Sequence, residues 1–232
     1  MVVAVKQVEF EDKLKEFRTE RIGMVIVGEV PFRMEEGGRA ILHIVPQSAF
    51  ESPANLDLKA IRQGHDFLWP INSGSSGSTR YNFDGLLRSI SGDEYEQSYV
   101  QLFHNGIIEA VNSSLLKKRS DKSTITSRTF EEEVRKFVSN SLSFLQEHGV
   151  EPPLHIMMSL LRVKGYRMAL NESDHRESYP IDREELLVPA VVLASSESDV
   201  NRVMLPAFNR IWNASGVDSS PNYDENGNWK ER

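Results

Sequence analysis

The sequence predicts an α+β fold: a mainly antiparallel mixed sheet carrying two longer helices and a short C-terminal helix. Three observations predict it. Residues 9–27 repeat apolar side chains at spacings near 3 and 4, with charged residues between them, which is the period of an amphipathic helix. Two apolar runs meet across Asn105-Gly106, the strongest short-range signal for a tight hairpin turn. Helical and strand patterns occur in blocks rather than as alternating β-α-β units, which favours segregated layers.

Taken in chain order, Phe10, Leu14, Phe17, Ile22, Val25 and Ile26 form the apolar stripe of the first helix, and Gly28 and Pro31 end it. Glu35-Glu36-Gly37-Gly38 reads as a turn. Residues 39–45 are apolar, rich in branched side chains and closed by Pro46, so they predict a buried strand. Residues 52–79 read as a flexible loop with one short helix near 57–62 and a Ser/Gly stretch at its end. Strands are expected over 81–90 and 98–104, with 107–111 as the hairpin partner. Thr129-Phe-Glu-Glu132 has the spacing of a capping box. The helix it opens would bury Phe130, Val134, Phe137, Val138, Leu142 and Leu145, stopping at Gly149 before Pro152-Pro153. Further strands are expected over 154–161, 163–170 and 186–194, with Pro189 marking a bulge or an edge. Residues 206–215 predict a short helix with Pro206 in its first turn, presenting Phe208, Ile211 and Trp212. An irregular tail follows over 217–232. One domain over 1–232 is expected, with 52–79 as a loop inside it.

The chain has 232 residues, 39% hydrophobic and 26% charged, enough to bury its own core and far from the composition of disorder. It has no cysteine, which excludes disulfides, thiolate nucleophiles and thiolate metal sites. No apolar run approaches the roughly 20 residues of a membrane helix, and residues 1–11 lack the basic-then-apolar pattern of a secretory signal, so a cytoplasmic location is expected. The formal net charge is −7 and the pI about 5.5. The summed field would repel a polyanion.

No residue cluster reaches catalytic or cofactor-binding specificity, and no cofactor is expected. The six histidines, His43, His65, His104, His148, His155 and His175, show no ligand spacing, and His43 reads as a satisfied core histidine. Residues 74–79 lack the lysine of a phosphate-binding loop, and no G-x-S-x-G elbow is present. Asp84, Glu96 and Glu109 lie on or beside the hairpin strands and could converge on a divalent cation, but the strand-borne Glu-x-Lys element of such sites is missing. The alternating aromatics of 81–85 and 99–103 fit a core face better than a base-stacking platform, which Lys and Arg would ring. Lys117, Lys118 and Arg119, with Lys122 and Arg128, form one local basic run that fits a solvated loop better than an anion site.

Five segments, in order, carry a resemblance: Phe17-Arg-x-x-Arg21-Ile, Ile41-Leu-His43-Ile-Val-Pro46, Arg80-Tyr-Asn-Phe-Asp84-Gly85-Leu-Leu, Tyr99-Val-Gln-Leu-Phe-His-Asn-Gly106-Ile-Ile-Glu109-Ala-Val, and Asn222-Tyr-Asp-Glu-Asn-Gly-Asn-Trp229. Together they resemble the C-terminal region of bacterial proteins whose N-terminal half is a Schlafen-type, Alba-like DNA-binding domain. The resemblance runs from about Glu9 to Trp229. In that family the nucleic-acid annotation and the carboxylate nuclease centre belong to the Alba-like half, so no catalytic residue carries over to a position here. The resemblance implies a non-enzymatic accessory domain, binding a protein partner or itself, within a Schlafen/Alba-like system of regulation or phage defence. The alternative is a direct nucleic-acid-binding or metal-dependent nuclease module using Arg80, Lys117, Lys118 and Arg119 with Asp84 and Glu109.

Overall fold

A long central strand, β1 (Arg39–Pro46), is buried along its whole length, and the rest of the molecule is arranged around it. In this computed structural model the described residues are 2–31, 34, 36–52, 54–64, 67–73, 77–91, 96–116, 123–170 and 176–231, side chains of 2–6, 91 and 96 excepted. β1 pairs antiparallel with β7 (Leu154–Leu161) on one side and β5 (Ile108–Asn112) on the other. β4 (Glu96–Phe103), β3 (Gly85–Ser91) and β2 (Ser78–Asn82) extend the sheet antiparallel beyond β5. Beyond β7 lie two short strands, β9 (Glu185–Leu187) and β10 (Val191–Leu193). The sheet has eight strands in the order β10-β7-β1-β5-β4-β3-β2, with β9 also on β7. A separate parallel pair joins β6 (Thr124–Ile125) to β8 (Arg167–Met168).

Three layers result. Alternate residues of each strand point to opposite faces. On one face Ala40, Leu42, Ile44, Leu102, Ile108 and Ile156 meet α3 (Ser127–Glu147) and α4 (Val200–Ala214), while the short α2 (Leu58–Gly64) covers the β2–β3 end. On the other face Ile41, Val45, Tyr99, Val111 and Met157 meet α1 (Val2–Val27). With both faces covered, β1 and β7 read as long, mostly apolar runs instead of alternating ones.

The α+β expectation agrees with these layers, and several finer expectations are corrected. Residues 81–90 are two strands of a hairpin, not one, because Gly85 has φ 146° and a Cβ there would lie 2.2 Å from the Leu102 carbonyl oxygen. Only glycine permits that approach. The capping box at Thr129 does not form: α3 starts at Ser127 with Thr126 at the N-cap, and the Ser127 hydroxyl donates to the Ala169 carbonyl. Pro206 is inside α4, not in its first turn, because Asp199 caps the helix further upstream by accepting from the Asn201 amide. Residues 163–170 contribute only the two-residue β8, and 186–194 split into β9 and β10 on either side of Pro189, at the sheet edge. Within 52–79, Leu58, Ile61, Phe67, Leu68 and Ile71 are core residues, while 74–76 lie outside the described residues. Ile26, expected in the stripe, is 42% exposed. The tail over 217–231 has no helix, yet Tyr223, Trp229 and Asn222 are buried in it.

Candidate functional site

Polar side chains with no solvent contact mark the places where this fold departs from simple apolar packing, and two carboxylates, Glu109 and Glu131, dominate them. Glu109 sits on β5 beneath α1. Register places it opposite His43 of β1 and Gln101 of β4. The Arg21 guanidinium of α1 reaches it bidentately, Nε to Oε2 at 2.8 Å and Nη2 to Oε1 at 2.8 Å. The Tyr99 hydroxyl donates to Oε1 at 2.9 Å, and His43 Nε2 lies 3.0 Å from Oε2. An ionised carboxylate only accepts, so Nε2 carries the proton. Four donors fill the roughly four accepting positions of the carboxylate.

The electrostatics follow from that saturation. Burial pushes the Glu109 carboxyl upward, but hydrogen bonds from Arg21 and His43 and their charges outweigh it and hold it at about 2. Burial, reinforced by the Glu109 charge and hydrogen bond, drives the Tyr99 phenol well above its usual value. Phe17 packs edge-on against His43 and Phe103, and Arg21 also lies over Phe103 at 5.1 Å. The arrangement fixes the position of α1 on the sheet. It leaves Glu109 without an accepting site for a cation or for a substrate proton.

Glu131 does the same work between α3, α4 and the tail. It accepts from the Trp212 indole at 2.7 Å, from the Ser220 hydroxyl at 3.0 and 2.8 Å and from the Asn222 amide at 3.0 Å. Here burial prevails over those donors and raises the pKa. Next to it, Arg135 and Arg128 lie over the Trp229 ring at 4.0 and 4.8 Å, and Tyr223 meets the same ring edge-on.

Of the residues the sequence singles out, Glu109 is consumed internally, Asp84 occupies the β2–β3 turn, and the Glu96 side chain lies outside the described residues. Among the described residues no group of three His, Asp or Glu side chains is placed to hold a metal. Lys117, Lys118, Arg119 and Lys122 lie outside the described residues, as do His65 and His175. Arg80 is on β2 and donates to the Pro31 carbonyl at 3.1 Å. The aromatics expected on one face part company: Tyr99 is fully buried, whereas Tyr81 and Phe83 are 45% and 97% exposed. Arg62 lies over Tyr81 at 5.0 Å and Arg88 over Trp69 at 4.3 Å. Sequence reasoning missed the Arg21–Glu109 and Glu131–Trp212 pairings, because their partners are 88 and 81 positions apart. The only available signal was an arginine on the inward stripe of α1 and a glutamate on that of α3.

No protein-family model, curated protein or solved structure matches the chain.

Proposed function

We propose that this chain is a non-enzymatic accessory domain that acts by surface contact, binding a protein partner or a second copy of itself within a Schlafen/Alba-like nucleic-acid-acting system. The observation that carries the proposal is the β2 edge. Among the described residues β2 is the terminal strand of the sheet order, and the edge strand of a sheet is a template for pairing with another chain. Exposed aromatics gather beside it: Phe83 at the β2–β3 turn, Tyr81 on β2 and Trp69, which is 43% exposed. Tyr, Trp and Arg are the side chains that dominate binding energy at protein interfaces. Light scattering after size exclusion, on the chain alone over a concentration series and with a Schlafen-type Alba-like domain, tests this. Self-association or co-elution is expected, lost on Phe83→Asp; a monomer that ignores the partner at every concentration defeats the proposal.

One observation favours a second reading, direct nucleic-acid binding. Arginines flank the exposed rings, Arg62 on Tyr81 and Arg88 on Trp69, and exposed rings beside cations can stack bases. Oligonucleotide binding that weakens steeply with salt would support it, through counterion release. The absence of any shift at low salt would remove it.

A further inference from the structure

At the opposite end of the sheet from β2, a groove of about 390 Å3 opens between α1 and the β9–β10 edge. That size falls within the range of small-molecule sites, roughly 300 to 1,000 Å3. Its wall is apolar: Leu14 of α1, Met157 of β7, and Ala190 and Val192 at the edge. Leu14 and Met157 are 5% and 3% exposed and form the floor, while Val192 is 45% exposed at the rim.

The polar end is Arg18. Its guanidinium donates to the Ser159 hydroxyl at 3.0 Å, the Val188 carbonyl at 2.9 Å and the Met158 carbonyl at 2.5 Å. All three acceptors are neutral. A guanidinium has five N–H donors, so two remain, and among the described residues no carboxylate reaches ion-pair distance of Arg18. Burial pulls its pKa down to about 10, the behaviour of a cation without a compensating anion. His155 adds a second under-used group: it lines the groove, is 6% exposed, packs at a 52° tilt against Phe10 with ring centroids 4.6 Å apart, and its Nε2 has no partner among the described residues. Of the charged groups around the groove, Lys15 is paired with Asp12 at 3.2 Å and Glu11 accepts from Gln7, which leaves Arg18 as the cation without an ion-pair partner among the described residues.

We propose that this groove binds a small carboxylate with an apolar body, the carboxylate on the free Arg18 donors and the body along Leu14, Met157, Ala190 and Val192. An inorganic anion would leave the apolar wall wet, and an uncharged apolar molecule would leave Arg18 uncompensated. The site is independent of the contact function proposed for the β2 edge, so either can fail alone.

Isothermal titration of the full chain with octanoate tests it, with octan-1-ol as the uncharged control. Saturable one-to-one binding is expected with Kd about 1 mM or tighter, with octan-1-ol at least about tenfold weaker, a difference near 1.4 kcal/mol. Arg18→Gln removes the cation but also three structural hydrogen bonds, so Ala190→Trp is the decisive variant. It fills the groove from an exposed position, and it should weaken octanoate at least about tenfold with the melting temperature unchanged. No saturation by about 10 mM, equal affinity for octan-1-ol, or unchanged affinity in Ala190→Trp would each overturn the proposal.

Discussion

Removing the Glu109 carboxylate would leave Arg21, Tyr99 and His43 without their common acceptor beneath α1, all of them nearly or fully buried. Breaking one partner out of a buried ion pair typically costs about 3–5 kcal/mol, far more than the pair's net worth. Glu109→Ala is therefore expected to lose about that much in denaturant unfolding. Replacing Arg21 and Glu109 together by Met and Leu should cost less than Glu109→Ala alone, and a double replacement as damaging as the single would contradict this account. Acid gives a second check. The folded carboxyl titrates at about 2 and the unfolded one near 4.5, so the unfolded state binds more protons in between. The stabilisation is complete above about 4.5 and is lost as pH falls toward 2. Denaturation midpoints of the native chain should fall through that window more steeply than those of Glu109→Gln. Glu131 runs the other way: its folded pKa is raised, chiefly by burial, so its contribution weakens as pH climbs out of the ordinary carboxylate range.

Hairpin β2–β3 and helix α4 show how one residue sets an element. Gly85 combines φ 146° with a Cβ position 2.2 Å from the Leu102 carbonyl oxygen, so Gly85→Ala must displace backbone. A loss of about 1–3 kcal/mol is expected, read as a lower melting temperature. Pro206 lies on the exposed side of α4, in its interior, where proline costs roughly 3 kcal/mol relative to alanine, partly offset by the stiffer unfolded chain. Pro206→Ala should therefore stabilise the protein by about 1–2 kcal/mol, and a destabilised variant would show that α4 depends on the proline. Both elements were legible in outline. Asp84-Gly85 is a turn dipeptide, but the apolar run Leu86-Leu87 beyond it extends the strand pattern and masks the reversal. In α4 the cap Asp199 lies before a run of mixed polarity, so Pro206 looked like the stronger start signal.

Across the whole molecule, one sheet is shared by every layer, and the three tryptophans sample it at both ends: Trp69 beside β2, Trp212 and Trp229 between α3, α4 and the tail. Tryptophan fluorescence and far-ultraviolet dichroism should therefore report one coincident unfolding transition, and separated midpoints would show that the β2 end unfolds by itself. What the sequence determined alone is local. It specified α3 and most of α1 by their 3.6-residue period, the Asn105-Gly106 hairpin, the burial of β1 and β7 from their mostly apolar runs, and the chain's acidic, cysteine-free character. Each of those depends on neighbours within a few residues. What only the tertiary structure decided is which polar groups meet: Arg21 with Glu109, Glu131 with Trp212 and Asn222, Arg18 with the β7 to β9 crossing. These contacts join residues 81 to 170 positions apart. A charged residue on an otherwise apolar stripe carries no local sign of whether it faces water or a buried partner, because its cost or benefit is set by the group brought opposite it when the layers close.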